Sequence, residues 1–161
     1  MIVIIEGVDG SGKSTLVKQL ADEGFQVTSI ESNKEGSKEY IEWATLNMYP
    51  DDTFVVTDRS FLTDLVYRIH DGKERKGMDL YDMSLVLDEN VKVVFCETGT
   101  EFDDAMARGE DNITSRAASK DISSIYRMVR EMIRLFTKSP VFIYNWRNMT
   151  VSDVIEFIYE T

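Results

Sequence analysis

From Gly7 to Ser14 the chain reads Gly-Val-Asp-Gly-Ser-Gly-Lys-Ser, a full match to the spacing G-x-x-x-x-G-K-[ST]. Glycines at these positions let backbone N–H groups wrap closely around phosphate oxygens, and a helix opening behind them adds partial positive charge. Lys13 would reach the β- and γ-phosphates of a nucleotide, and the Ser14 hydroxyl would ligate Mg2+. Asp9, Gly10, Ser11, Gly12, Lys13, Ser14 and Thr15 are therefore the expected ATP-binding residues. A Gly-rich turn with all four fixed positions arises by chance only rarely, since glycine averages roughly 7% of residues.

A second constellation is Asp58-Arg59-Ser60, which follows an apolar run and so falls at the carboxyl end of an expected strand. There an aspartate can hold the water shell of Mg2+ and a guanidinium can clamp a phosphate with two parallel hydrogen bonds. The plainer reading is a strand-end salt bridge. The P-loop contains no arginine, so a cation for the transferred group must come from elsewhere. Arg108 and Arg116 flank the polar stretch 109–115, which suits a lid at about 107–118 that closes and excludes water. Lys13, Asp58, Arg108 and Arg116 are the expected catalytic set, with Ser14 and Asp58 on the metal. Asn33-Lys34-Glu35-Gly36 approximates the guanine-reading Asn-Lys-x-Asp, but it ends in glycine and follows the wrong strand; it reads as a solvated loop.

The elements that must position these groups are legible as five short apolar runs: Ile2–Glu6, 26–30, 54–57, Val91–Cys96 and Val141–Tyr144. They are nearly continuous rather than alternating, as in strands covered on both faces. Between them, helical spacing marks 14–22, 38–48, Phe61–His70 and 123–136, and a last helix starts after Thr150, capped by Thr150 or Ser152, and runs to Tyr159. Strands alternating with helices predict an α/β fold, a five-stranded parallel sheet with helices on both faces. In such sheets ligands collect beyond the carboxyl ends of the strands.

Bulk properties narrow the classes. At 161 residues the chain fits one domain, 1–161, large enough to bury roughly 70% of its unfolded surface. Its net charge of −11 repels phosphate backbones and disfavours a dedicated nucleic-acid binder, although a local basic pocket for one small nucleotide remains compatible. The single cysteine, Cys96, reads as a small apolar residue in a buried strand. No apolar run reaches the roughly 18 residues of a membrane span, and the N-terminus has no basic segment, so a cytoplasmic protein is the expectation.

The residues resemble the thymidylate kinase family. That family opens with Glu-Gly-x-Asp-Gly-x-Gly-Lys-Ser/Thr, and this chain has Glu6-Gly-Val-Asp9-Gly-Ser-Gly-Lys-Ser-Thr15. Its Asp-Arg-Tyr, spaced serine and Ala-Tyr-Gln match Asp58-Arg59-Ser60, Thr63 and Val66-Tyr67-Arg68, and its Arg-Gly-Glu-Asp recurs as Arg108-Gly-Glu-Asp111. The resemblance implies a sheet order of 2-3-1-4-5, Mg·ATP as phosphoryl donor and a deoxypyrimidine monophosphate (thymidylate or a 5-substituted deoxyuridylate) as acceptor. It implies that Asp9 accepts the sugar 3′-hydroxyl, Arg59 clamps the acceptor phosphate, Tyr67 crowds the 2′ position with Arg68 beside it, and Trp43 stacks on the base. Core packing with Ile41, Ala44 and Met48 is an equal account of Trp43. Arg147, after the last strand, falls where the family builds its adenine pocket, or it faces solvent. Members often dimerise through helices flanking the acceptor site, which makes a homodimer an expectation.

The chain also departs from that pattern. Where the family has Thr-Arg-Glu-Pro-Gly-Gly, this chain has Ser29-Ile-Glu-Ser-Asn-Lys34, without the arginine, and Asn47 stands near a second expected arginine. Fewer cations at the acceptor leave open a kinase acting on a hydroxyl, similar to deoxynucleoside kinases, with Glu31 as base. A non-catalytic ATP-dependent regulatory module is a third reading. His70 reads as a cap on its helix, and Lys73, Arg75 and Lys76 as a solvated loop.

Overall fold

The computed structural model describes residues 1–29, 54–72, 80–109 and 115–160. Trp43, Glu31, Asn47, the segment 38–48, the basic loop with Lys73 and the middle of the expected lid lie outside the described residues.

The five expected strands form as β1 (Ile2–Glu6), β2 (Gln26–Ser29), β3 (Val55–Asp58), β4 (Val91–Cys96) and β5 (Val141–Tyr144). All neighbours are parallel and the order is β2-β3-β1-β4-β5. Every residue of β1 and of β4 is buried, which is why both runs read as continuously apolar rather than alternating. β1 is the central strand, pairing with β3 from Ile2↔Val55 to Ile5↔Asp58 and with β4 from Ile2↔Val91 to Glu6↔Phe95.

Helices cover both faces. α1 (Lys13–Asp22) and α6 (Val151–Tyr159) pack Leu16, Leu20, Val154 and Ile158 against Val3, Ile5, Val56 and Val94. On the other face, α2 (Phe61–His70), α3 (Leu80–Val86) and α5 (Arg116–Phe136) meet Ile2, Ile4, Val93 and Phe95, with Leu62, Val66, Val129 and Ile133 fully buried. The short α4 (Glu101–Ala107) follows β4. No described helix is long and apolar enough to cross a membrane.

Local chemistry sets the helix starts. Ser60 caps α2 by accepting from the Leu62 amide at 3.1 Å, and Ser115 caps α5 by accepting from Ala118. Thr150, one of the two expected caps, forms a capping box with Asp153 at the start of α6. β3 begins and ends one residue later than its apolar run suggests, because Asp58 still pairs with Ile5 of β1. The helix expected from 123 begins two turns earlier at Arg116, so part of the expected lid is helix; the short α3 and α4 had no clear periodic signal. His70, the last residue of α2, pairs with Asp121 of α5 at 2.5 Å in addition to standing at the helix end.

Lys92 is the one charged residue within β4. Its Nζ donates to the carbonyls of Phe157 (2.7 Å), Ile158 (2.9 Å) and Glu160 (2.5 Å), satisfying the end of α6, while burial lowers its pKa. Lys92→Ala should strand these carbonyls and cost about 2–4 kcal/mol, lowering the melting temperature by roughly 5–15 °C. Calorimetric unfolding checks this; an unchanged transition would remove Lys92 from the account of helix α6.

Candidate active site

The loop after β1 turns tightly, with the Ser11 amide donating to the Val8 carbonyl at 3.1 Å. Gly10 has φ 87°, and a Cβ there would sit 1.9 Å from the Glu101 carbonyl oxygen of α4. Gly12, at φ 86°, is the N-cap of α1, and its Cβ would meet Trp146 Cδ1 at 2.6 Å. Backbone therefore approaches its surroundings closely at both positions, and only glycine fits. α1 has no side-chain cap and no acidic residue in its first turn, leaving its positive end open to an external anion. Ser11 Oγ is buried with no partner among the described residues. These features fit the phosphates of a bound nucleotide, which the loop amides, Lys13, Ser14 and Thr15 would hold.

Lys13 is buried at the start of α1 and forms an ion pair with Asp58 at the end of β3. The pairing follows from topology, since β3 lies directly beside β1 and delivers Asp58 next to the loop. In this arrangement Asp58 serves Lys13, while Ser14 faces solvent.

Arg59 follows with φ 70°, the only described non-glycine residue in the left-handed region. Its amide donates to the Ile5 carbonyl at 3.1 Å and its guanidinium donates to Asp9 Oδ1 at 3.4 Å. Tyr67, nearly two turns into α2, lies within reach of both charges; burial raises its pKa, as does the Asp9 charge, with Arg59 opposing. Burial works against the Arg59 cation, but Tyr126, Glu6, Tyr67 and Asp9 outweigh it and raise its pKa. Asp9, Arg59 and Tyr67 thus meet beside the Lys13–Asp58 pair. Arg68 lies along α2, donating to Asp64 at 2.8 Å.

On the other side of the loop is a mainly apolar cavity of about 540 Å³, lined among others by Gly12, Thr15, Arg108, Tyr144, Trp146 and Val151. Arg108 reaches this cavity from the C-cap of α4. Arg116 goes elsewhere: it donates to Asp103 at 2.9 Å and lies 4.6 Å over the Phe102 ring, against the first turn of α4. Arg147, expected either at the base or facing solvent, does not line the cavity and is half-exposed. It donates to Asp104 (2.5 Å) and Thr100 (3.3 Å) and stacks on Trp146 at 4.6 Å, so the indole faces the cavity and the guanidinium braces it.

Sequence reasoning missed two participants. Trp146 carries no role in the sequence expectations, although a large aromatic just after the last strand is a usable signal. Glu6 has only a place in the motif, yet an acid closing an otherwise apolar strand, Ile2–Ile5, is itself a sign of a buried polar partner set.

Comparison with known proteins agrees with this geometry at the level of fold. Residues 3–79 match the model of the viral superfamily 1 RNA helicase core domain. No curated protein sequence matches the chain. Among solved structures, the YorR protein of Bacillus subtilis, solved with phosphorylated GDP, is similar at 20% identity and TM-score 0.66, covering 98% of this chain and 93% of that one. Deoxyadenosine kinase from M. mycoides, solved with dCMP and dCDP, is similar at 15% identity and TM-score 0.60, over 98% and 96%. Thymidylate kinase from Candida albicans follows at 13% identity and TM-score 0.58, over 98% and 88%. The chain has a P-loop NTPase fold whose structural neighbours include nucleotide kinases.

Trp146 is 41% exposed, so its removal should cost little stability while taking away the cavity's stacking surface. Trp146→Ala is expected to weaken ATP binding about tenfold, the scale of one lost base–aromatic contact. Isothermal titration measures it, and unchanged affinity would mean the base lies outside this cavity.

Proposed function

We propose that this protein is a P-loop nucleotide kinase that transfers the γ-phosphoryl group of Mg·ATP to a deoxypyrimidine monophosphate, thymidylate or a 5-substituted deoxyuridylate, yielding the diphosphate. The observation that carries the reading is the meeting of Asp9, Arg59 and Tyr67 beside Lys13 and Asp58 at the ends of β1 and β3. Mg2+ would neutralise charge on the moving phosphoryl group. The protein's part is positioning. The loop amides and Lys13 hold the donor phosphates, and Ser14 and Asp58 would hold Mg2+. Arg59 holds the acceptor phosphate, Asp9 accepts from the sugar hydroxyl and Tyr67 narrows the pocket at the 2′ carbon. The apolar cavity with Trp146 takes the donor base, with Arg108 at its edge. The solved thymidylate kinase and deoxyadenosine kinase structures share the fold, which supports a nucleotide-sized acceptor. The helicase match ends at residue 79 and covers the phosphate loop, while the net charge of −11 argues against nucleic acid as substrate.

One observation favours a second reading, a deoxynucleoside kinase or other hydroxyl-acceptor kinase. The segment Ser29-Ile-Glu-Ser-Asn-Lys34 lacks an arginine for an acceptor phosphate and offers Glu31 as a base. ATP consumption by the purified protein with Mg2+ decides between the readings when thymidylate, other nucleoside monophosphates, 5-substituted deoxyuridylates and free nucleosides are compared. Turnover with a pyrimidine deoxynucleotide supports the main reading. Turnover with nucleosides alone transfers the function to the second, and ATP binding without acceptor-stimulated turnover points to a regulatory module.

Two substitutions sharpen this. Arg59→Ala should lower kcat/KM for the monophosphate by about 10–100-fold, the scale of a lost charge-assisted hydrogen bond, with KM for ATP nearly unchanged. Arg116→Ala should lower kcat far more than it raises KM for ATP; an unchanged kcat would assign Arg116 to its Asp103 contact alone.

A further inference from the structure

Glu6 ends β1 fully buried, where a carboxylate is costly unless its oxygens are hydrogen-bonded. Three hydroxyls meet it. Ser60 Oγ donates to Oε1 at 2.6 Å; Thr63 Oγ1 and Tyr126 Oη donate to Oε2 at 2.7 and 3.1 Å. Burial raises the pKa of Glu6, while the three hydroxyls and the Arg59 charge oppose that rise. Ser60 and Thr63 belong to the start of α2 and Tyr126 to the middle of α5, so one carboxylate ties the central strand to two helices.

What these ties hold is the turn at Arg59. A non-glycine residue in the left-handed region costs energy and persists only where its surroundings over-determine it. Arg59 is tied before and after: its own amide donates to Ile5, and Ser60 donates to Glu6 while accepting from the Leu62 amide. Both ties anchor in consecutive residues of β1. The guanidinium is then aimed toward Asp9 and Tyr67.

We propose that Glu6, itself held by Tyr126, is the positioning residue of this site, locking through Ser60 the left-handed turn that aims Arg59 at the acceptor. This rests on the reading of Arg59 as the acceptor clamp. The Glu6 side chain acts on the acceptor side, because its carboxylate bonds Ser60, Thr63 and Tyr126 and no residue of the phosphate loop.

The test uses Glu6→Gln, which keeps the shape and removes the anion, and Tyr126→Phe, which removes a single hydroxyl donor and guards against a misfolded first variant. With thymidylate and ATP as substrates, both should raise KM for thymidylate about tenfold and leave KM for ATP within about twofold, while Glu6→Gln added to Arg59→Ala should cause no further loss. Equal rises in both KM values, or additive losses in the double variant, would make Glu6 a structural residue only and overturn the proposal. A second readout needs no turnover: phenylglyoxal modification of Arg59, mapped by mass spectrometry, should run several-fold faster in both variants. An unchanged Arg59 rate overturns the positioning role whatever the acceptor. A faster rate in a protein that does not phosphorylate thymidylate upholds the role and discards the acceptor assignment.

Discussion

The architecture depends on one constraint: β1 is buried on both faces and hydrogen-bonded along both edges. Such a strand has no free backbone group until it ends, so its carboxyl end is the first place where amides become available to a ligand. The phosphate loop begins there, and the next strand outward, β3, delivers Asp58 and Arg59 to the same level. Glu6, the last residue of the strand, converts the remaining burial into hydrogen bonds that hold α2 and α5. The site is thus a consequence of where the central strand stops.

The charges around it follow a common plan. This acidic protein, with a net charge of −11, pairs four described cations of the region with carboxylates. Lys13 is paired with Asp58, Arg59 with Asp9, Arg116 with Asp103 and Arg147 with Asp104. Pairs that reach solvent are individually weak, because water screens them, so a phosphate oxygen can take the place of a carboxylate at small cost. On the proposed reading, the acids would keep Lys13 and Arg59 oriented until an anion of higher charge arrives. The buried Lys13 is the exception in degree, since a displaced Asp58 must find a new cation, a role Mg2+ would fill.

Most of the fold could be read from residues because its determinants are local or periodic. Three of the five strand runs coincide with the observed strands, and α2 matches residue for residue, since continuous apolar stretches and an amphipathic turn record burial directly. The 2-3-1-4-5 order came from resemblance, as pattern alone says nothing of lateral sequence. α4 escaped because seven residues with three acids near its start carry too little periodicity, yet its Glu101 carbonyl is what requires glycine at Gly10. The site was legible where backbone does the work and less so where side chains do. Trp146 and Arg147 are adjacent in sequence, and only the cross-link to Asp104 decides which of them faces the cavity.

That asymmetry has a physical source. Phosphate binding by loop amides needs glycines at fixed spacing, because only glycine tolerates the close approach and the positive φ, so the chemistry leaves an unmistakable trace. Acceptor binding needs a cation, a carboxylate and a ring whose positions depend on how helices pack, and many spacings achieve the same result. Arg59 shows the link between the two. Its backbone is tied to the strand that bears the loop, so its place is as well determined as that of Lys13, yet nothing in the types Asp58-Arg59-Ser60 announces a left-handed turn. The strain is tolerated because a buried carboxylate four strand positions along from Ile2 holds the next residue. The donor and acceptor halves therefore share a single rigid reference, the end of β1, and a phosphoryl group passing between them would do so across a geometry set by that strand rather than by either substrate.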